Sequence, residues 1–495
     1  PWESQGGTAS AALAAAGPAV ATVAADRRDV SPDLRTLSTR PRTPIRSAGV
    51  TPRSRPFGRR PVPRGAVGGQ SARPDPVLQR GVVAAALPGA LLSFDGATDA
   101  DNLTGVNNGC GQGSLVAPSD SEGDVGPNHY VEWVNCVLQI FDKNGNTLLG
   151  PIDGSTLFAG LGGACEIQND GDPVVLYDRQ ADRWLLTQFA LPAGGPSHQC
   201  IAVSQTPNPT GAYFRYDFVW PGNKVNDYAK FGVWPDGWYM TANQFDQAFT
   251  TYLGVGVAAF NRASMLTGGP GTALYVDMGP FAPASFSLLP SHLNGQTPPP
   301  AGTPNYLVEV EGPILDPSFP TDRLQVWTFH PDFATPAAST FTGPLVLNVA
   351  PFDPLLCGFN PFDQQCVPQP GTGTVVDGLP DRLLFRNNYR NFGSYQALVL
   401  NHTVDATGTG VAGVRWYELR IAGGAPVIFQ QGTFSPDATY RWMGSINLDA
   451  SGDIAVGYSA SSTSVFPSLR YAARLPADPP GTLGQGEATL FAGTG

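Results

Sequence analysis

The stretch "NDGDPVVLYDRQADRWLLTQFAL", residues 169–191, sets four aspartates and two arginines around two apolar runs. It reads either as a catalytic acid cluster or as two strands joined by a turn. Asp178, Arg179, Asp182 and Arg183 fall between the runs, where "PDGW" (235–238) and "LDASGD" (448–453) fall between apolar runs of their own. Aspartate in such links bonds to its own backbone and tolerates unusual dihedrals, so these four are turn residues. Asp170 and Asp172 precede the run "PVVLYD", and that position is the one that reaches a central channel if this strand is innermost in a repeated unit.

Working outward, the same texture recurs: "HYVEWVNCVLQIFDKNGNTLLG", "KFGVWPDGWYMTANQF", "NYLVEVEG" with "RLQVWTFH", "ALVLNHTVDATGTGVAGVRWYELR" and "WMGSINLDASGDIAVGYSAS". Each is a strand, a tight turn rich in Asp, Asn or Gly, and a second strand, the signature of a hairpin. The units recur about every 50–70 residues, room for four strands and insertions per blade of a β-propeller. The expected fold is all-β: a six-bladed propeller over residues 81–495, with seven blades as the alternative, carrying an extended low-complexity arm over residues 1–80.

Composition agrees. Of 495 residues, 59 are glycine and 48 proline, while charged residues make up only 14%, which suits strands and turns better than helices. Charge is distributed unevenly. Residues 1–80 hold thirteen arginines and no lysine against five acids, a balance of +8, which leaves −19 for the rest of a chain whose net charge is −11. The Arg- and Pro-rich arm has too little apolar surface to offset chain entropy alone, so a surface must hold it wherever it is ordered. Arg53, Arg55, Arg59, Arg60 and Arg64 are the expected docking residues, since the planar guanidinium pairs bidentately with carboxylates. The expected surface is the acidic body of a neighbouring copy or another extracellular partner. The acidic body and the lack of a recognition fold argue against nucleic acid.

Six cysteines, with no C-x-x-C and no histidine close by, point to disulfides rather than zinc. The expected pairs are Cys357–Cys366, Cys110–Cys136 and Cys165–Cys200. No apolar run approaches the roughly 20 residues that span a bilayer. The Ala-rich "ASAALAAAGPAVATVAA" (9–25) has the flavour of an export signal, so a secreted chain trimmed at Pro1 is expected.

The tracts "GDVGPNHYVEWVN", "CIAVSQTPNPTGAYFRYDF", "GVAGVRWYELR" and "RWMGSINLDASGDIAVGYS", with the opening stretch and "KFGVWPDGWYMTANQF", resemble a family of uncharacterised large secreted bacterial β-propeller proteins. The resemblance covers about residues 100–485 and leaves the arm outside it. It implies export and the propeller fold, and it carries over no catalytic residue.

Chemistry has few local signals. No G-x-S-x-G elbow is present, and the five histidines, 129, 198, 292, 330 and 402, are far apart. His129 at a strand edge reads as a packing residue. "DKNGN" (Asp142, Asn144, Asn146) and "DASGD" (Asp449, Ser451, Asp453) alternate oxygens as calcium loops do but lack the following glutamate. Hairpin turns explain both, so no cofactor is expected, with Ca²⁺ as the alternative. A glycan-cleaving channel would draw on Asp124, Asp172, Asp227, Glu309, Arg386, Arg441 and Arg470, with Trp234 or Trp442 as stacking platforms. The primary expectation is a non-catalytic structural or adhesive protein of the cell surface, in a surface layer, sheath or filament coat, assembled through its arm into a homo-oligomer or extracellular assembly. The alternative is a polysaccharide-binding protein or glycoside hydrolase acting at the channel mouth.

Overall fold

A computed structural model describes residues 18–38, 60, 73–81, 87–98, 101, 119–192, 194–356 and 365–494. Arg53, Arg55, Arg59 and Arg64 lie outside the described residues. Before the propeller come β1 (Ala21–Ala24), β2 (Arg27–Val30), the short helix α1 (Leu34–Ser38) and β3 (Leu78–Gln79).

Among the described residues six four-stranded antiparallel units then follow in chain order. Blade 1 is β4 (Ser121–Val125), β5 (His129–Val134), β6 (Val137–Asp142) and β7 (Thr147–Asp153). Blade 2 is β8 (Val174–Asp178), β9 (Arg183–Ala190), β10 (His198–Ser204) and β11 (Tyr213–Val219). Blade 3 is β12 (Val225–Val233), β13 (Trp238–Phe245), β14 (Tyr252–Phe260) and β15 (Thr272–Asp277). Blade 4 is β16 (Leu289–Leu293), β17 (Asn305–Glu311), β18 (Arg323–His330) and β19 (Thr340–Asn348). The small pair β20 (Gln365–Val367) and β21 (Val376–Asp377) is inserted here. Blade 5 is β22 (Leu384–Asn391), β23 (Gln396–Asp405), β24 (Ala412–Ala422) and β25 (Ala425–Phe434). Blade 6 is β26 (Tyr440–Leu448), β27 (Ile454–Ser461), β28 (Ser468–Arg474) and β29 (Glu487–Phe491). The molecule is an all-β propeller.

The first strand of each blade lies innermost, and successive first strands touch one another from β4 to β26. Between blades 4 and 5 the approach is close enough for β16 and β22 to pair in parallel, Ser291 with Asn387 through Leu293 with Tyr389. The opening stretch shows why the sequence folds this way. β8 is buried along its whole length, and strand periodicity turns successive side chains to opposite faces. Val175 and Tyr177 pack toward blade 1 with Trp133 and Ile140, while Val174 and Leu176 pack toward blade 3 with Trp238 and Phe260. A strand with an apolar neighbour on both faces reads as a continuous hydrophobic run.

The disulfide Cys165–Cys200 ties the blade 1 to blade 2 connection to β10. Cys136 and Cys366 are disulfide-bonded as well, and Cys110 and Cys357, their expected partners, lie outside the described residues. No helix among the described residues is long and apolar enough to cross a membrane.

The described parts of residues 1–80 lie on the chain's own propeller. β1 adds to β15 and β2 to β11, each antiparallel, and β3 adds in parallel to β25. Segment 87–98 touches both blade 6, where Tyr471 donates to the Pro88 carbonyl, and blade 1, where Phe94 packs on Tyr130 and Phe141.

Candidate active site

The innermost strands begin at one mouth of the channel, and the sequence places acids there. Asp120 stands one residue before β4 and Asp172 two before β8, while Glu122 and Asp227 lie in β4 and β12. Each is partly accessible rather than sealed. The β12–β13 pairing slips between Asp227 and Lys230, and inside that bulge Tyr228 has a φ of +56°. A bulge re-aims the side chains it contains, and here the result is a tyrosine and a lysine beside the acids. The Lys230 ammonium lies 3.7 Å from Glu122, 4.3 Å over the Tyr228 ring and 5.5 Å over the Phe385 ring. The Tyr228 backbone N–H donates to Asp172 at 3.4 Å. On the far side of Tyr228 sits the Arg382 guanidinium, 4.8 Å from its ring, itself held by Asp381 at 2.8 and 3.1 Å.

Burial, reinforced by the negative charges of Asp172, Asp227 and Glu122, pushes the Asp120 carboxyl up to about 8, with Lys230 opposing. Burial raises Glu122 too, against the pull of Lys230 and Arg386. Lys230 itself is raised, because Glu122, Tyr228, Asp172 and Asp120 together outweigh its own burial.

Deeper in the channel the chemistry changes. Arg386 reaches from β22 across to blades 1 and 2, donating to Asp124 and to the Gly123 and Val175 carbonyls, each at 3.0 Å. Asp124 also accepts the Tyr177 N–H at 2.9 Å. Burial works against the Asp124 charge, yet Arg386 holds the carboxyl below its usual range. Close by, burial and Arg386 drive His292 down to about 3, so it is a neutral imidazole whose Nδ1 accepts the Val233 N–H at 3.4 Å. The channel is thus bridged by a matched ion pair below a mouth crowded with carboxylates.

The remaining candidates lie elsewhere. Glu309 is buried in β17, its oxygens taken by Ser285, Phe286 N–H and Trp327. Arg441 is buried in blade 6, bound by Asp437 at 2.9 Å and Glu487 at 2.8 Å, and Arg470 joins the same Glu487 at 3.0 Å. Trp234 is buried, donating to the Thr303 carbonyl and meeting Tyr389 edge-on at 4.7 Å. Trp442 packs with Leu356, Val367 and Ala412. Neither tryptophan offers a stacking platform. Arg60 is buried against Glu311, within its own chain. Asp170 accepts the Leu191 N–H, and Asp178 is clamped by Arg262 and Trp238, so in the opening stretch only Asp172 joins the mouth cluster. His129 is partly buried at its strand edge.

In the two calcium-like loops the aspartates cap their own turns. Asp142 accepts from the backbone of Asn144 and Asn146 and from the Asn146 amide, and Asp449 accepts from Ser451 and Asp453 N–H. Among the described residues no three His, Cys, Asp or Glu side chains converge closely enough to hold a metal ion.

Sequence reasoning missed Asp120, Glu122, Tyr228, Lys230 and Arg382. One signal was available: the chain has only three lysines, and Lys230 sits inside the strand "VNDYAKFGV", where a charge has no packing rationale.

No protein-family model and no curated protein matches this chain. Solved structures with a similar trace include an endo-arabinase from Bacteroides thetaiotaomicron, 13% identical, TM-score 0.32, covering 63% of this chain and 95% of the other. An exo-β-1,3-galactanase from Phanerochaete chrysosporium is 11% identical, TM-score 0.30, with coverages of 72% and 77%. An ulvan lyase of family PL25 is 11% identical, TM-score 0.36, with coverages of 75% and 82%.

Proposed function

We propose that this is an extracellular carbohydrate-active protein that binds a glycan at the propeller mouth and hydrolyses a glycosidic bond there. The observation that carries this reading is the convergence of carboxylates from blades 1, 2 and 3 around Lys230 and Tyr228 at a partly open mouth. Glycoside hydrolysis needs one carboxyl kept protonated and a second ionised. Asp120 suits the first role and Asp172, oriented by the Tyr228 N–H, the second.

In the proposed reaction the Asp120 carboxylic acid gives its proton to the glycosidic oxygen as the bond from that oxygen to the anomeric carbon breaks. Water attacks the anomeric carbon from the other side while Asp172 takes its proton. Asp120 is left as a carboxylate, and proton exchange with solvent resets the pair. Asp227 accepts from sugar hydroxyls at the mouth. The excess of negative charge favours a neutral glycan over an anionic one, which the mouth repels. Disulfides are compatible with an extracellular setting.

The test is a panel of neutral and uronic-acid polysaccharides, with binding read by affinity electrophoresis and cleavage by release of reducing ends. Cleavage of a neutral glycan that is abolished in Asp120→Asn and Asp172→Asn supports the proposal. Wild-type protein that neither binds nor cleaves any member of the panel removes it.

A further inference from the structure

Residues 18–38 occupy a site on blades 1, 2 and 3 that is built to receive a strand. The backbone ladder runs almost without a break: β1 pairs with β15, Ala25 N–H bonds Gly271, Asp26 N–H bonds Asp217, β2 pairs with β11, and Ser31 and Leu34 N–H bond Tyr213 and Gly211. One segment thus caps the outer edges of two adjacent blades.

Side chains make the site specific. The Arg215 side chain is only 1% exposed, and Asp29 grips it with both oxygens, at 2.8 and 2.5 Å. The same guanidinium donates to the Leu157 and Ala159 carbonyls. Ser31 Oγ accepts the Tyr213 N–H at 2.8 Å. Leu34 and Leu37 of α1 are fully buried with Trp133, Leu157 and Phe158 of the blade 1 and 2 core. With the segment gone, the two edges expose unpaired N–H and C=O groups, Arg215 loses its carboxylate, and two leucine pockets open.

The segment's own sequence, "ATVAADRRDV", has no apolar face that would fold it alone, so its strands exist because the blade edges template them. Nothing in these contacts requires donor and acceptor to share a chain. The 22 residue steps from Ser38 to Arg60 span at most about 75 Å, against a radius of gyration of roughly 22 Å for a body of this size. A neighbouring body is within reach, and exchange would re-form the same contacts.

We propose that residues 18–38 are a donor segment, and that the edges of blades 2 and 3 accept the same segment from a second copy of this chain. The acceptor is a strand-addition site whose ligand carries aspartate opposite Arg215 and two leucines one helical turn apart. Assembly then follows from strand exchange at a shaped groove and not from the bulk attraction of a basic arm for an acidic body.

The experiment uses the full chain with a protease site placed between residues 41 and 55, cut after folding. A fluorescent peptide of residues 18–38 is added in excess, in urea just below the unfolding midpoint, and the urea is then removed. The expected result is one labelled peptide per body, with the Asp29→Ala peptide taken up at least tenfold more weakly. Equal uptake of both peptides, or none of either, overturns the donor assignment. In parallel, the concentrated uncut chain taken through the same urea step should give a dimer by light scattering that excess peptide dissolves. A chain that stays monomeric throughout overturns the exchange between copies.

Discussion

The mouth of the channel and the interior of blade 6 use the same residue types to opposite ends. In blade 6 every acid of the cluster meets a fixed guanidinium: Arg441 holds Asp437 and Glu487, and Arg470 and Tyr458 close on Glu487. Burial works against both charges, but the hydrogen bonds from Arg441 win, bringing Asp437 down to about 2 and Glu487 below its usual range. At the mouth, Asp120, Glu122, Asp172 and Asp227 crowd around Lys230, and Asp120 moves the other way, up to about 8. The matched acids of blade 6 are ionised and hold its strands together. Outnumbered cations leave an acid protonated, and a protonated carboxyl at neutral pH is a proton donor.

The largest effect that would sharpen this contrast is on turnover. Asp120→Asn should lower hydrolysis of the cleaved glycan by about 10²–10⁴-fold, the range general acid catalysis supplies, while the melting temperature holds or rises. A variant that keeps full turnover places the proton donor elsewhere. The reverse pattern belongs to Arg441→Ala. Removing the fully buried Arg441 guanidinium empties its site, takes the partner from half-exposed Asp437 and leaves Glu487 to Arg470 and Tyr458, with an expected loss of about 2–3 kcal/mol in urea unfolding and unchanged turnover per folded molecule. If the loss is below about 1 kcal/mol, the blade 6 network is not structural glue.

A smaller effect separates the two regions by pH. The folded-state pKa of Asp120, about 8, lies above the 3.8 of a free aspartate, so between these values the unfolded chain has released a proton that the folded chain still holds. Stability contributed by that proton is complete below pH 4 and is lost as pH rises toward 8. Solvent screening at the partly open mouth holds the expected loss to about 2 kcal/mol. Urea midpoints at pH 5 and pH 8 should converge in Asp120→Asn relative to wild type. Parallel pH dependence in the two proteins would mean that Asp120 titrates as an ordinary carboxylate.

What the sequence made legible follows the same division. Period-2 apolar runs around Asp-, Asn- and Gly-rich turns are local patterns, and β8 with β9, β12 with β13, and β26 with β27 all stand where those runs predicted hairpins. The strands of the arm were not legible, because "ATVA" and "RRDV" take strand form only against the edges of β15 and β11, a tertiary effect absent from their own composition. The site was half legible. Asp172 and Asp227 stand out near the starts of innermost strands, whereas Asp120 and Glu122 sit in "PSDSEGDVG", which reads as a turn until blade 1 is closed around it. Arg441 and Glu309 carry the same chemistry on paper, and only their partners, Asp437 and Glu487 in blade 6 and Ser285, Phe286 and Trp327 around β17, remove them from the channel.

The smallest expected effect concerns acids that belong to neither region. Asp449 could be a metal ligand or a turn cap, and the two roles predict different responses to chelation. Its Oδ1 already accepts the N–H groups of Ser451 and Asp453, at 2.8 and 3.0 Å, across the β26–β27 hairpin. An aspartate engaged this way stabilises the turn without an ion. Asp449→Ala should therefore lower the melting temperature by about 1–2 °C, and the wild-type melting temperature should be the same in EDTA and in millimolar Ca²⁺. A rise of several degrees with Ca²⁺ that disappears in Asp449→Ala would make the hairpin an ion site, and it would place a third kind of carboxylate, neither matched nor protonated but metal-bound, on this propeller.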